Sequence, residues 1–172
     1  LIESAYDLRY GKLATVPCEP GLYKWWFRED GARTLLQNVP RINWGRIQTN
    51  RINGAMYYAL YVGIAPSNLQ DRLGWHIKQK HYLSQVQGGW ISTLRITIVS
   101  LLGIPASQSE QAVNNFMDTY CYVEYDVKDD PKYDEDEELR RNYYPLNIDK
   151  NQVVEKEALQ YISEQRSIYG KK

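Results

Sequence analysis

Apolar and aromatic positions along this chain of 172 residues fall into short dense runs and into stretches of three- and four-residue spacing. After an amino-terminal arm carrying Pro17 and Pro20, the run Gly21 to Phe27 predicts a strand. Residues 29–37 predict a short helix that ends before Pro40. Arg46 to Ile52 and Ala55 to Gly63 are two extended runs joined by Asn53-Gly54, the pair favoured by a two-residue type I′ turn, and predict a hairpin. Ser67 is read as the N-cap of a helix to Lys80, with Leu69, Leu73, His76, Ile77 and Lys80 on one side. Further helices are expected from Trp90 to Leu102, behind Gly88-Gly89, and from Ser107 or Ser109 to Tyr120. Trp90, Leu94, Ile98 and Leu101 are assigned to the core. Cys121 to Val127 predicts another strand, and Asp134 to Tyr143 an acidic helix stopped by Tyr144-Pro145. Gln152 to Tyr169 predicts a last helix before the frayed Lys171-Lys172 tail.

Strands and helices mix without regular βαβ alternation. The expected class is therefore α/β in the α+β sense: a small antiparallel or mixed sheet flanked by several helices. The length suits one core, and no repeat or Gly/Ser-rich linker divides the chain, so residues 1–172 are read as one domain.

Composition adds little to this picture, but charge adds a good deal. Hydrophobic residues make up 43% and charged residues 24%, which excludes collagen-like and wholly disordered classes. No apolar stretch reaches the length of a membrane-spanning helix and no leader is visible. Cys18 and Cys121 lack metal-ligand spacing and read as small buried hydrophobes in a reducing compartment, so a cytoplasmic protein is expected. The formal net charge is zero, yet Arg33 to Arg95 carries eight basic residues and one acid, Asp71. Glu124 to Glu138 carries nine acids against Lys128 and Lys132. A basic section interleaved with Trp44, Trp75, Tyr82 and Trp90 suits a polyanion, because Lys and Arg neutralise phosphates and release counterions. Lys78, Lys80 and Arg95 are the candidate phosphate contacts, with the alternative that Arg95 only caps a helix. The bland alternative is a solvated face balanced by the acidic segment in space.

The ordered motifs carry a resemblance. Gly21-Leu22-Tyr23 and Tyr61-Val62-Gly63 are similar to the two tyrosine motifs of the GIY-YIG nuclease family. Nine residues after Gly63, Arg72 occupies the place of that family's helix arginine, and His76 follows one turn later, as in restriction-enzyme-like members. The acidic helix leading into Tyr144-Pro145-Leu146-Asn147 resembles the family's Glu-helix with its Pro and Asn turn. The likeness covers about residues 17–150, in a long form that looks like a bacterial branch. The two tyrosines stand 38 positions apart, so residues 28–54 are read as an insertion that adds a helix and a hairpin strand. Ile64 stands where many members have Lys, leaving His76 or Lys78 as the charged helper.

The resemblance implies metal-assisted hydrolysis of DNA phosphodiester bonds. One divalent cation, Mg²⁺ or Mn²⁺, would be held by a single carboxylate. Tyr23 would be the general base, which asks that a cation such as Arg72 or the metal lower its pKa from ~10. Tyr61 would orient the water or the phosphate, and Arg72 would grip the phosphate with its planar fork of donors. Counting back twelve residues from Asn147 reaches Glu135 as the metal ligand, with Asp136 and Glu138 as alternatives. Asn147 would orient the metal shell or hold its turn, and His76 would be a catalyst or a half-buried packing residue. Without the other motifs, Tyr23 and Tyr61 would read as ordinary strand aromatics. The competing class is a catalytically silent nucleic-acid-binding or protein-interaction module on the same fold, and RNA stays open as the nucleic acid.

Overall fold

Asn53 and Gly54 both adopt positive φ, at 51° and 81°, and close the hairpin that the Asn-Gly pair predicts. The computed structural model describes residues 1–88 and 91–170. In chain order the described elements begin with β1 (Ile2–Ser4), α1 (Ala5–Arg9), β2 (Gly21–Arg28), α2 (Glu29–Leu36), β3 (Thr49–Ile52) and β4 (Ala55–Ala65). They continue with α3 (Leu69–Lys78), α4 (Leu83–Gln87), α5 (Thr93–Leu102), α6 (Ser109–Tyr120), β5 (Cys121–Val127), α7 (Pro131–Arg141) and α8 (Lys156–Gly170). The sheet order is β1-β5-β2-β4-β3, and every described pairing is antiparallel, which resolves the antiparallel or mixed expectation.

Central strand β2 is covered on both faces. Tyr23, Trp25 and Phe27 point into the main core with Leu69, Leu73 and Ile98. Trp26 points the other way, into a smaller cluster with Ala59, Val62, Leu139 and Tyr144. That second cluster is what docks α7. The helix sequence is almost wholly charged and would be marginal in isolation, so the burial of Leu139, at ~2 kcal/mol, is a large part of what holds it.

Several boundaries differ from expectation. The arm before β2 contains β1 and α1, which carry no periodicity long enough to reveal them. The N-cap of α3 is Asn68 rather than Ser67: its side chain accepts from Asp71 N at 3.0 Å, while the arm carbonyls of Glu19 and Pro17 take the N–H groups of Leu69 and Gln70. Helix α5 opens at Thr93 behind the N-cap Ser92, and Gly89, Trp90, Lys171 and Lys172 lie outside the described residues. Helix α7 starts a turn early because Asp130 caps it and Pro131 sits at its first position, where no N–H is needed. Helix α8 starts late because the Asn151 side chain accepts from Val153 N and Val154 N and so holds a turn ahead of it. Both thiols are free, and Cys18 is exposed, against the expectation of burial. Among the described residues no helix is long and apolar enough to cross a membrane.

Candidate active site

The placement of the two tyrosines is decided by a β-bulge. Tyr61 pairs with Trp25, but Ala59 pairs with Trp26, so Leu60 is the extra residue on β4. Strict alternation from Ala59 would turn Tyr61 toward α7. The bulge turns it instead to the Tyr23 face, where Gly63 lies opposite Tyr23. The Tyr23 ring lies against Gly63 so closely that a Cβ there would stand 2.5 Å from Tyr23 Oη and 2.6 Å from Cζ. Gly21 is as constrained, since a Cβ would meet the Asp126 carbonyl and the Leu69 side chain, each at 2.4 Å. Ile64 pairs with Leu22 on the opposite face, so no side chain from that position reaches Tyr23.

Asn147 closes the free edge of β4. Its Oδ1 accepts from Val62 N at 2.9 Å and its Nδ2 donates to Val62 O at 2.8 Å, while Leu146 N donates to the carbonyl of the bulged Leu60. The side chain behaves as a short strand and holds the turn after α7 against Tyr61, which is the turn-holding alternative of the sequence reading.

Tyr61, Glu135, Asn147, Asp149 and Lys150 line one pocket of about 210 Å³. Glu135 is half-buried and forms no ion pair or side-chain hydrogen bond with the described residues. Burial raises its pKa, with Lys150 opposing and Asp136 adding to the rise. Glu138 lies elsewhere: it accepts from Tyr144 Oη at 2.6 Å and Asn142 Nδ2 at 2.9 Å, with Lys24 at 3.9 Å. Asp136 is exposed. A carboxylate withdrawn from water without a fixed cation fits a divalent ion, and Asp149 lines the same pocket. Among the described residues no three His, Cys, Asp or Glu side chains cluster.

Tyr23 is fully buried and shares a 2.6 Å hydrogen bond with His76 Nε2; His76 Nδ1 in turn meets Ser92 Oγ at 2.6 Å. Burial raises the Tyr23 pKa and the Tyr61 hydroxyl adds to the rise, while the Arg72 charge and a hydrogen bond from Arg72 lower it. Burial therefore outweighs the arginine, and the pKa of Tyr23 is raised where a lowered one was expected. Tyr61 is pushed up to about 12 by burial, again against Arg72. Arg72 itself is exposed, with its guanidinium 4.8 Å from the Trp75 ring centroid.

His76 is held down to about 3, first by burial and then by the Arg72 and Arg95 charges, and His81 to about 4, first by burial and then by Arg95. An unfolded chain binds these protons near pH 6.5, so the stability they contribute is full above that value and is lost as pH falls toward 3. His76 alone is expected to remove about 2 kcal/mol between pH 7 and pH 5. Urea unfolding at those two pH values checks this, and an unchanged midpoint would refute it.

Arg95 corrects an expectation. It is fully buried, donating to the His76 and Ile77 carbonyls at 3.0 and 3.2 Å, to His81 Nε2 at 2.8 Å and to Asn114 Oδ1 at 2.8 Å. A guanidinium committed to the carboxyl end of α3 has no free donor for DNA. Lys78 and Lys80 are exposed, and Lys80 faces Glu110 at 3.4 Å. The sequence reading missed Ser92, Asp149, Lys150 and Arg166. Arg166 comes from α8, is half-buried, and has its pKa lowered by burial while the Asp149 and Tyr61 charges oppose. It carried no sequence signal, because it stands on a helix that reads as ordinary packing.

No curated protein and no solved structure matches the chain. The GIY-YIG catalytic domain matches residues 21–168 and so takes in both tyrosine strands, α3, α7 and nearly all of α8. On that match, and with the sheet and helices that the family's motifs require, the chain belongs to the GIY-YIG catalytic domain family and is a nuclease-family protein.

Proposed function

We propose that this protein is a divalent-metal-dependent endonuclease that hydrolyses DNA phosphodiester bonds. The observation that carries the reading is that Tyr61 and Glu135 share one pocket, with the Arg72 charge acting on both of them and on Tyr23. Tyr23 serves as general base in its phenolate form, which takes a proton from the attacking water; Arg72 and a bound divalent cation would supply the positive charge that favours that form against burial. Tyr61 orients the water beside the phosphate. Arg72, exposed and free of salt bridges among the described residues, grips the phosphoryl oxygens and their developing charge. Glu135 holds Mg²⁺ or Mn²⁺, which when bound neutralises the phosphate and the leaving oxygen. Glu135 is preferred to Glu138 and Asp136 because it alone combines partial burial, the shared pocket and no fixed partner.

DNA binding is supported by the insertion. Arg33, Arg41, Arg46 and Arg51 are exposed there, and among the described residues none forms a salt bridge. Arg33 lies 4.0 Å from the Trp44 ring centroid and Arg46 5.5 Å from that of Tyr143, so stacking holds two of the guanidinium planes toward solvent. With the acidic stretch unpaired to them, these charges remain available to phosphates.

Nicking of supercoiled plasmid with Mg²⁺, Mn²⁺ or chelator tests the reading. Metal-dependent cutting that is lost in Tyr23→Phe and Arg72→Ala is expected, with losses of about 10²-fold or more. Salt-sensitive DNA binding without any cutting by the intact protein would instead make it a silent nucleic-acid-binding module.

A further inference from the structure

Lys150 lines the pocket of Tyr61 and Glu135, and the proposed reaction gives it no task. The charged lining residues are Glu135, Asp149 and Lys150, two negative groups and one positive, around a space of about 210 Å³. Glu135 and Lys150 share that space without an ion pair, and among the described residues Lys150 forms no hydrogen bond either. An ammonium placed only to neutralise Glu135 would pair with it. Burial raises the Glu135 pKa, and of the cations that oppose the rise Lys150 acts most, ahead of Lys132 and Arg72. Of those three, only Lys150 lines the pocket.

We propose that Lys150 is a second phosphate-binding residue of the active site, whose ammonium pairs with a nonbridging oxygen of the phosphodiester that enters the pocket beside Tyr61 and Glu135. The inference rests on the reading of the protein as a nuclease. The two charged helpers named from sequence do not fill this place: His76 is buried and neutral, and Lys78 is not among the lining residues. Charge balance points to the same occupant. The lining carries one net negative charge, and with one divalent cation it carries one net positive charge, the complement of a single phosphodiester. Lysine suits the contact because its ammonium is a compact point charge with three donors.

The chain on either side holds Lys150 in place. Asn147 is clamped to Val62 of β4. Asn151 donates from Nδ2 to the Tyr144 and Asn147 carbonyls, both at 2.8 Å, and accepts at Oδ1 from Val153 N and Val154 N, both at 3.1 Å. Lys150 stands between these two anchors, so the main chain that carries it is fixed. Its φ is 59°, in the left-handed region that glycine enters freely and other residues enter at a cost. Turn geometry alone would favour glycine here. The lysine stands against that preference, and its side chain is the part that reaches the pocket.

That conflict supplies the test. Lys150→Gly relieves the backbone and is expected to melt no earlier than the wild type. Under single turnover, with saturating protein and Mg²⁺, its plasmid-nicking rate constant is expected to fall by roughly 10²-fold, and Lys150→Arg is expected to recover part of the loss. Lys132→Ala removes a nearby cation outside the pocket and is expected to nick at the wild-type rate. A lysine that only attracts DNA to the surface predicts otherwise: the loss would vanish at saturating protein, and that result, or an equal loss in Lys132→Ala, overturns the proposal. A second readout needs no cutting. In the Tyr23→Phe protein with Mg²⁺, a short DNA duplex is expected to protect Lys150 from acetylation, read by mass spectrometry. A bound duplex that leaves Lys150 labelled at the free-protein rate overturns the proposal whatever the wild type cuts. Protection of Lys150 with no nicking by the wild type under any metal leaves the phosphate contact standing and removes the nuclease reading. Nicking by Lys150→Gly at the wild-type rate removes the contact and leaves the nuclease, and a protein that neither binds nor cuts DNA overturns both.

Discussion

Replacing Glu135 by Gln is expected to bring metal-dependent plasmid cutting down by about 10³-fold or more, because the change removes the charge that holds the cation while keeping the side chain's shape. Folding should survive, and at pH 8 it should improve slightly. Burial raises the Glu135 pKa above its unfolded value, so the ionised carboxylate costs stability that grows as pH rises through the carboxylate range. A neutral amide does not carry that cost. Glu138→Gln makes the useful contrast, since Glu138, one turn further along α7, accepts from Tyr144 and Asn142 and lies near Lys24. That variant should melt earlier and still cut. Nicking rates and thermal melts of the two proteins, side by side, separate a metal ligand from a structural carboxylate. Wild-type cutting by Glu135→Gln would sink the assignment and return Asp149, in the same pocket, as the carboxylate to test.

Gly63→Ala is expected to be nearly as damaging to activity although it adds a single methyl group. The new Cβ would stand 2.5 Å from Tyr23 Oη, a distance that real Cβ contacts do not reach. The tyrosine cannot swing aside cheaply: it is 1% exposed, hydrogen-bonded to His76 and packed in the main core. Overpacking of this kind costs ~1–3 kcal/mol. The larger effect is on geometry, because a base displaced by about 1 Å can lose 10²-fold in rate. A lowered melting temperature together with a nicking rate down by about 10²-fold is the expected pair of results. A variant that melts early but cuts at the wild-type rate would show that Tyr23 needs no fixed position. The second motif's glycine is thus explained by the first motif's tyrosine across two antiparallel strands.

Much of the framework was legible in the chain because it depends on neighbours in sequence. The Asn53-Gly54 turn needs two positive φ values and nothing more distant. Strand β5 carries its alternation within seven residues and was read to its boundaries. Helix α2 and the hairpin strand β3 followed from the same local signals, and the order of the tyrosine, arginine and glutamate motifs was sufficient to indicate the family. The short elements β1 and α1 were not legible, since three and five residues are too few to set a period.

What the sequence determined by itself is the inventory: a chain able to form one sheet with helices, and a set of residues whose types suit phosphodiester hydrolysis. Tertiary structure alone decided how those residues meet. A bulge at Leu60 turned Tyr61 to the Tyr23 face, and no pattern in the strand announces it, because bulges depend on the register of the neighbouring strand. Glu135 and Glu138 are equivalent acids in sequence, yet docking through Leu139 and Tyr144 gave one to the pocket and the other to the Tyr144 hydroxyl. Arg95 looked like a phosphate contact and became the buried clamp on the end of α3, since a guanidinium with carbonyls in reach is satisfied there. Charge and residue type belong to the chain; burial, partners and proton positions belong to the fold, because each is set by groups that only packing brings within a few ångströms.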